Sequence, residues 1–109
     1  MEFAKVSAIV RNSVIENVEL ALEKMGVSGF TVTRVEGVGE WEKKFSFFNV
    51  PSAHCKIEIF TEGNRAEQIA GAIMDAAHTG SIGDGLVAVL PVHKVFRIRS
   101  KALTKSGEI

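Results

Sequence analysis

The stretch Thr79-Gly-Ser-Ile-Gly-Asp-Gly-Leu-Val-Ala-Val-Leu-Pro-Val-His-Lys-Val-Phe-Arg-Ile-Arg99 joins a glycine-rich loop, an unbroken apolar run and an alternating segment. Leu86 to Leu90 suits a strand buried on both faces. Pro91 interrupts it. From Val95 to Arg99 the pattern alternates strictly, which places Phe96 and Ile98 on one face and Arg97 and Arg99 on the other. Upstream, Asn64-Arg-Ala-Glu67 has helix-capping spacing, and Ile69, Ala70, Ile73 and Ala77 carry an apolar helical face ending near Thr79. Further back, Ile57 and Ile59 alternate with Lys56 and Glu58 in a strand from His54 to Phe60. Another runs from Phe30 to Val35.

At the start of the chain, Phe3, Val6, Ala8, Ile9 and Val10 read as a strand. Ser13-Val-Ile-Glu16 then has the spacing of a capping box, and Val14, Ile15, Val18, Leu22 and Met25 recur at helical intervals up to Gly26. The order strand, helix, strand, strand, helix, strand predicts an α+β fold of the ferredoxin-like βαββαβ type, with a short extra C-terminal strand. Two helices cover one face of such a sheet. Phe30, Val32, Ile57, Ile59, Val87 and Val89 are too many to point at them all, so we expect self-association through the sheet.

With 109 residues, 46% hydrophobic and 24% charged, the chain fits one soluble domain over residues 1–109. No apolar run approaches membrane-spanning length and the N-terminus lacks the pattern of a secretion signal, so a cytoplasmic location is expected. A single cysteine, Cys55, excludes an internal disulfide. Formal net charge is zero, which argues against nonspecific nucleic-acid binding. Yet the first 84 residues hold eight basic and twelve acidic side chains, and the remainder five and one. That imbalance points to an anionic ligand near the C-terminal part.

Three glycines in residues 79–85 make a tight helix-to-strand turn or let successive backbone N–H groups turn inward as an anion-binding nest. Arg97 and Arg99 either form a solvated edge-strand face or serve as fork donors suited to phosphate oxygens, and their presence beside the loop favours the anion reading. Other phosphate motifs fail, because Gly85 is followed by Leu86 and Val87 rather than Lys-Ser/Thr, and Gly37-Val38-Gly39 has no third glycine or helix start. These two glycines end a strand or let a ligand approach the backbone. His54 and Cys55 point to opposite faces of a strand, and His78 and His93 have no ligand spacing with them, so no metal site is expected. Nor does the order of residues give a Ser-His-Asp or Cys-His set. Residues 38–53 are long for a connection, and Trp41, Phe45, Phe47 and Phe48 beside Glu40, Glu42, Lys43 and Lys44 suit a partner-binding tip.

The segment from Thr79 to Arg99 resembles the C-terminal signature of the PII signal-transduction family. Gly29-Phe-Thr-Val-Thr-Arg-Val-Glu-Gly-Val-Gly39 resembles that family's second strand leading into its effector loop, and Lys56-Ile-Glu58 the strand that follows. The resemblance spans about nine tenths of the chain. It implies a homotrimer with an adenine nucleotide in each cleft between subunits. Thr31 would lie near the base, and Gly37, Val38 and Gly39 on the entering loop. The turn of Thr79, Gly80, Gly83, Asp84 and Gly85 and the pair Arg97 and Arg99 would serve the phosphates. The effector loop, residues 38–53 with Glu40, Trp41, Phe45, Phe47 and Phe48, would dock on a transporter or metabolic enzyme, and residues 100–109 form a C-terminal tail.

Departures from the family pattern sharpen the expectation. Glu40-Trp41 replaces the Arg-Gln whose glutamine helps hold magnesium and 2-oxoglutarate beside ATP. His54 and Leu86 stand where the family has lysines. Three fewer cations penalise a longer phosphate chain most, so AMP or ADP is expected over ATP. With no tyrosine in the chain, tyrosyl uridylylation is excluded. Outlying family members lacking the 2-oxoglutarate residues are associated with bicarbonate uptake or metal transport, which implies a carbon-metabolism setting and bicarbonate as a second small anion. The sequence thus reads as a regulator without catalytic cofactor rather than an enzyme. The competing readings are nitrogen regulation through ATP and 2-oxoglutarate, a ferredoxin-like RNA-binding module, and slow phosphate-ester hydrolysis. RNA binding is disfavoured, because the central strands offer few exposed aromatics.

Overall fold

A computed structural model describes residues 2–36 and 53–109. β1 (Phe3–Arg11), α1 (Ile15–Lys24), β2 (Thr31–Val35), β3 (His54–Glu62), α2 (Ala66–Ala77) and β4 (Leu86–Val92) follow in the expected order. The four strands form one antiparallel sheet in the order β2-β3-β1-β4. Of the expected partner-binding segment, residues 38–52 lie outside the described residues, as does Gly37.

Register decides which side chains meet. Val6 stands opposite Ile59 and Val89, and Ala8 opposite Ile57 and Val87, so these six share one face of the sheet. Against that face lie Val18 and Leu22 of α1 and Ile69 and Ile73 of α2, all fully buried. Each large aliphatic side chain buried there contributes about 1.5–3 kcal/mol. The sequence expectation that Ile57, Ile59, Val87 and Val89 compete for helix cover therefore needs correction, because all four lie on the helix side. Phe30 also packs on this core, whereas Val32 shares the face but stays exposed on the edge strand.

The opposite face is open in the single chain. One row across it reads Phe60, Lys5, Leu90, and the next runs through Glu58, Ser7 and Ala88. Phe60, Leu86 and Leu90 are exposed there. The apolar run of β4 is thus an edge strand covered on one side, not a strand buried on both. Among these apolar groups Glu58 binds Lys5 and Lys56, each at 3.2 Å, and these cations hold its carboxyl below its usual pKa.

Neither capping box forms. A 3₁₀ turn leads into each helix, Asn12–Val14 before α1 and Gly63–Arg65 before α2, and neither helix has a side-chain cap. The backbone amides of Ile15 and Ala66 donate to the carbonyls of Asn12 and Gly63, so main-chain bonds take the place of the expected side-chain ones. The C-terminal alternation also ends earlier than expected. β5 (Phe96–Arg97) pairs with β6 (Ala102–Leu103) in a separate hairpin, and Lys101 takes a φ of 56° in the turn between them.

Candidate functional site

The glycine loop leaves α2 through His78, whose extended backbone ends the helix. Gly80, Gly83 and Gly85 all take positive φ. At Gly85 the need for glycine is absolute, since a Cβ would stand 1.8 Å from the carbonyl oxygen of Ile9. Asp84 closes the loop on itself. Its carboxylate accepts the backbone N–H groups of Thr79 and Gly80, each at 2.9 Å, and the Thr79 hydroxyl. Thr79, then Gly80 and Arg11, hold the Asp84 carboxyl far below the usual carboxylate range. Two amides of the expected nest are therefore occupied by the chain's own anion.

Two side chains brace this loop from the sheet. Arg11 donates from Nη2 to the carbonyl of Ile82 at 2.8 Å and from Nε to Asp84 at 3.3 Å. His54, 3% exposed, places Nε2 2.7 Å from the carbonyl of Gly83. Because a carbonyl only accepts, that nitrogen carries the proton. Arg11 and His54 are register partners in β1 and β3. Neither role stood out in the sequence, although the signal was present. With Ile9 opposite Leu86, two more residues bring Arg11 beside Asp84.

A second cluster surrounds a cleft of about 620 Å³. Thr31, at the head of β2, lines it together with Phe30, Phe96, Arg97, Arg99 and Ile109. Arg65 secures its rim by donating to the carbonyl of Met25 at 2.6 Å. The tail folds along the same region. Arg97 donates from Nη2 to the Glu108 carbonyl at 2.8 Å, while the Ser106 hydroxyl and the Gly107 amide donate to the Glu62 carboxylate. Glu62 and Glu108 are thus tail anchors that periodicity did not mark. Arg99 belongs to the hairpin turn, so the expected single strand carrying both arginines is not formed.

The structure therefore divides the predicted residues into two sets. Thr31, Arg97 and Arg99 share the large cleft, whereas Asp84 and Gly85 line a separate cavity of about 200 Å³ with Ile9, His78 and Leu86. Thr79, Gly80 and Gly83 belong to the same glycine loop as Asp84 and Gly85. Thr31 pairs with Glu58, whereas the loop lies beside His54 and across three strand spacings. With ~3.3 Å per residue and ~4.8 Å per strand, the two sets lie roughly 20 Å apart on one chain. Gly37, Val38, Gly39, Glu40, Trp41, Phe45, Phe47 and Phe48 lie outside the described residues. Among the described residues no cluster of three or more His, Cys, Asp or Glu is arranged to hold a metal ion, and no helix is long and apolar enough to cross a membrane.

Residues 3–102 match the family described as nitrogen regulatory protein P-II. The chain belongs to the PII family. A PII protein of Azospirillum brasilense is 36% identical over 104 residues, covering 88% of this chain and 91% of that protein. The nitrogen regulatory protein GlnK2 of Haloferax mediterranei is 37% identical over 101 residues, covering 87% of this chain and 82% of the relative. The structure also resembles that of Arabidopsis thaliana PII bound to citrate, with a TM-score of 0.79 and 37% identity, covering 98% of this chain and 90% of that one. PII proteins are signalling regulators, and trimers are typical of them. The ferredoxin-like fold read from the sequence is the fold found.

Proposed function

We propose that this PII-family chain is a homotrimeric sensor of adenine nucleotides. It binds AMP or ADP in preference to ATP between subunits, and regulates a transporter or metabolic enzyme through residues 38–53. The observation that carries this reading is the division of the candidate residues. Thr31, Arg97 and Arg99 line one cleft and the glycine loop lies at another, so a second copy is needed to bring the cleft, with Thr31 for the base and the two arginines for phosphate, against the glycine loop. The open sheet face, with Phe60, Leu86 and Leu90 exposed, supplies apolar surface for that association.

The preference for few phosphates rests on charge. His54 is buried against the Gly83 carbonyl and Leu86 is neutral, so neither offers a mobile ammonium to a terminal phosphate. A bicarbonate-handling transporter is the partner favoured by the departures at Glu40-Trp41, with bicarbonate as a second small anion. The binding of citrate by the Arabidopsis relative agrees with an effector site that accepts carboxylates.

Calorimetry with AMP, ADP and ATP tests the ligand. We expect binding of AMP and ADP that the double variant Arg97→Ala, Arg99→Ala abolishes. Failure of all three nucleotides to bind, or undiminished binding by the variant, overturns the site. Tightening of ATP by 2-oxoglutarate with magnesium would instead favour the nitrogen-sensing reading.

A further inference from the structure

The geometry points to Arg11 and His54 as positioning residues that set the 79–85 loop for phosphate without touching it, an inference that rests on the nucleotide reading above. Both side chains reach the loop from the sheet and both take its carbonyls. Arg11 holds the carbonyl of Ile82 at 2.8 Å, and His54 meets that of Gly83 at 2.7 Å. In a loop of positive-φ glycines, fixing two successive carbonyls toward the sheet fixes the plane of each following peptide, so the amide of Gly83 is oriented as well, while that of Asp84 donates within the loop to the Ser81 carbonyl at 3.3 Å.

Arg11 does more than bind one oxygen. Its Nε also reaches Asp84, whose carboxylate holds the Thr79 and Gly80 amides. The guanidinium therefore links both ends of the loop to β1. A Cβ on Gly83 would come within 2.9 Å of Arg11 Nη2, so the loop backbone lies directly on the guanidinium. Arginine suits this bracing because its donors form a rigid fork, whereas a lysine supplies a single mobile point. The arrangement uses cationic and N–H groups to shape the backbone that would meet the ligand, instead of presenting them to it. Preorganised backbone donors stabilise an anion without the ordering cost of a long side chain.

The test uses Arg11→Met, His54→Leu and the donor-retaining His54→Gln, with hydrogen exchange and ADP calorimetry on each. Arg11→Met and His54→Leu are expected to speed exchange at residues 79–85 while leaving β1 and β3 protected, and to weaken ADP at least ten-fold. His54→Gln, which restores an N–H near the Gly83 carbonyl, is expected to keep ADP affinity within about three-fold of the parent. Exchange that rises across the whole sheet, or a failure of His54→Gln to rescue, assigns the pair a merely structural role and overturns the inference. Arg11 lies nearer solvent than His54, so Arg11→Met carries the test if His54→Leu does not fold. A parent chain that binds ADP alongside Arg11→Met that binds it equally overturns the positioning role alone. A parent that binds no nucleotide overturns the underlying reading and the inference with it, and Arg11→Met then still shows by loop exchange whether the brace itself exists.

Discussion

The carbonyl oxygen of Ile9 occupies the space that a Cβ on Gly85 would need, 1.8 Å from its centre. Both partners of that contact are backbone, so neither yields by rotating a side chain. Gly85→Ala is expected to cost about 3 kcal/mol or more, through steric displacement of β1 from β4 added to a strained positive φ. Gly26→Ala, where φ is 78° and no atom lies within 4 Å, is expected to cost only about 1 kcal/mol. Denaturant unfolding of the two variants measures the difference. Equal midpoints would contradict the contact.

The row Phe60, Lys5, Leu90 crosses the open face of the sheet. Replacing the exposed Phe60 and Leu90 by lysine is expected to shift the proposed trimer toward monomer in sedimentation. Because both positions are solvent-facing in the single chain, unfolding of the separated monomer should change by no more than about 0.5 kcal/mol per site. An unaltered trimer would place the interface elsewhere.

Asp84 gives the loop an acid limit. Its folded pKa is depressed, so between the folded and unfolded values the unfolded chain binds more protons. The stabilisation is present above the ordinary aspartate value of about 3.9 and fades as pH falls toward the lower folded value. Asp84→Asn is expected to remove this part of the acid dependence, with the largest loss of stability near neutral pH. Thermal unfolding of parent and variant between neutral pH and about pH 3 checks it. Parallel curves would show that the carboxylate's charge is not what holds Thr79 and Gly80.

Cys55 is buried in β3, and burial, then the charge of Glu19, pushes its thiol pKa up. A thiol that is both covered and slow to ionise reacts only when the strand opens. Labelling by a disulfide reagent at neutral pH is expected to run at least about a hundred-fold slower than with free cysteine and to accelerate across the unfolding transition. Rapid labelling under native conditions would mean that β3 opens locally.

Most of the fold was legible because Ile57, Ile59, Val18, Leu22, Ile69 and Ile73 recur at strand or helix intervals, and periodicity reports which face is covered. What it could not report was the partner of each edge. The run from Leu86 to Leu90 looks the same whether buried on two faces or waiting for a second molecule. Ser13 and Asn64 had capping spacing, yet the chain enters each helix through a tight turn that satisfies the amides first. The C-terminal hairpin was hidden because its turn uses Lys101, not glycine, at positive φ. In the site, the glycines marked the loop and the paired arginines the cleft. The capture of two loop amides by Asp84 depends on atomic closure, and the reach of Arg11 on register, so neither appears in a linear pattern.

The cluster in which Glu58 is held by Lys56 and Lys5 carries one surplus positive charge in the middle of the open face of each copy. If that face is the meeting surface, like fields approach one another as copies come together. Ionic strength then acts in an uncommon direction: added salt screens the repulsion, so the complex should tighten as salt is raised, whereas interfaces built on opposite charges loosen. Dilute, low-salt buffer would be the condition under which the assembly falls apart most readily.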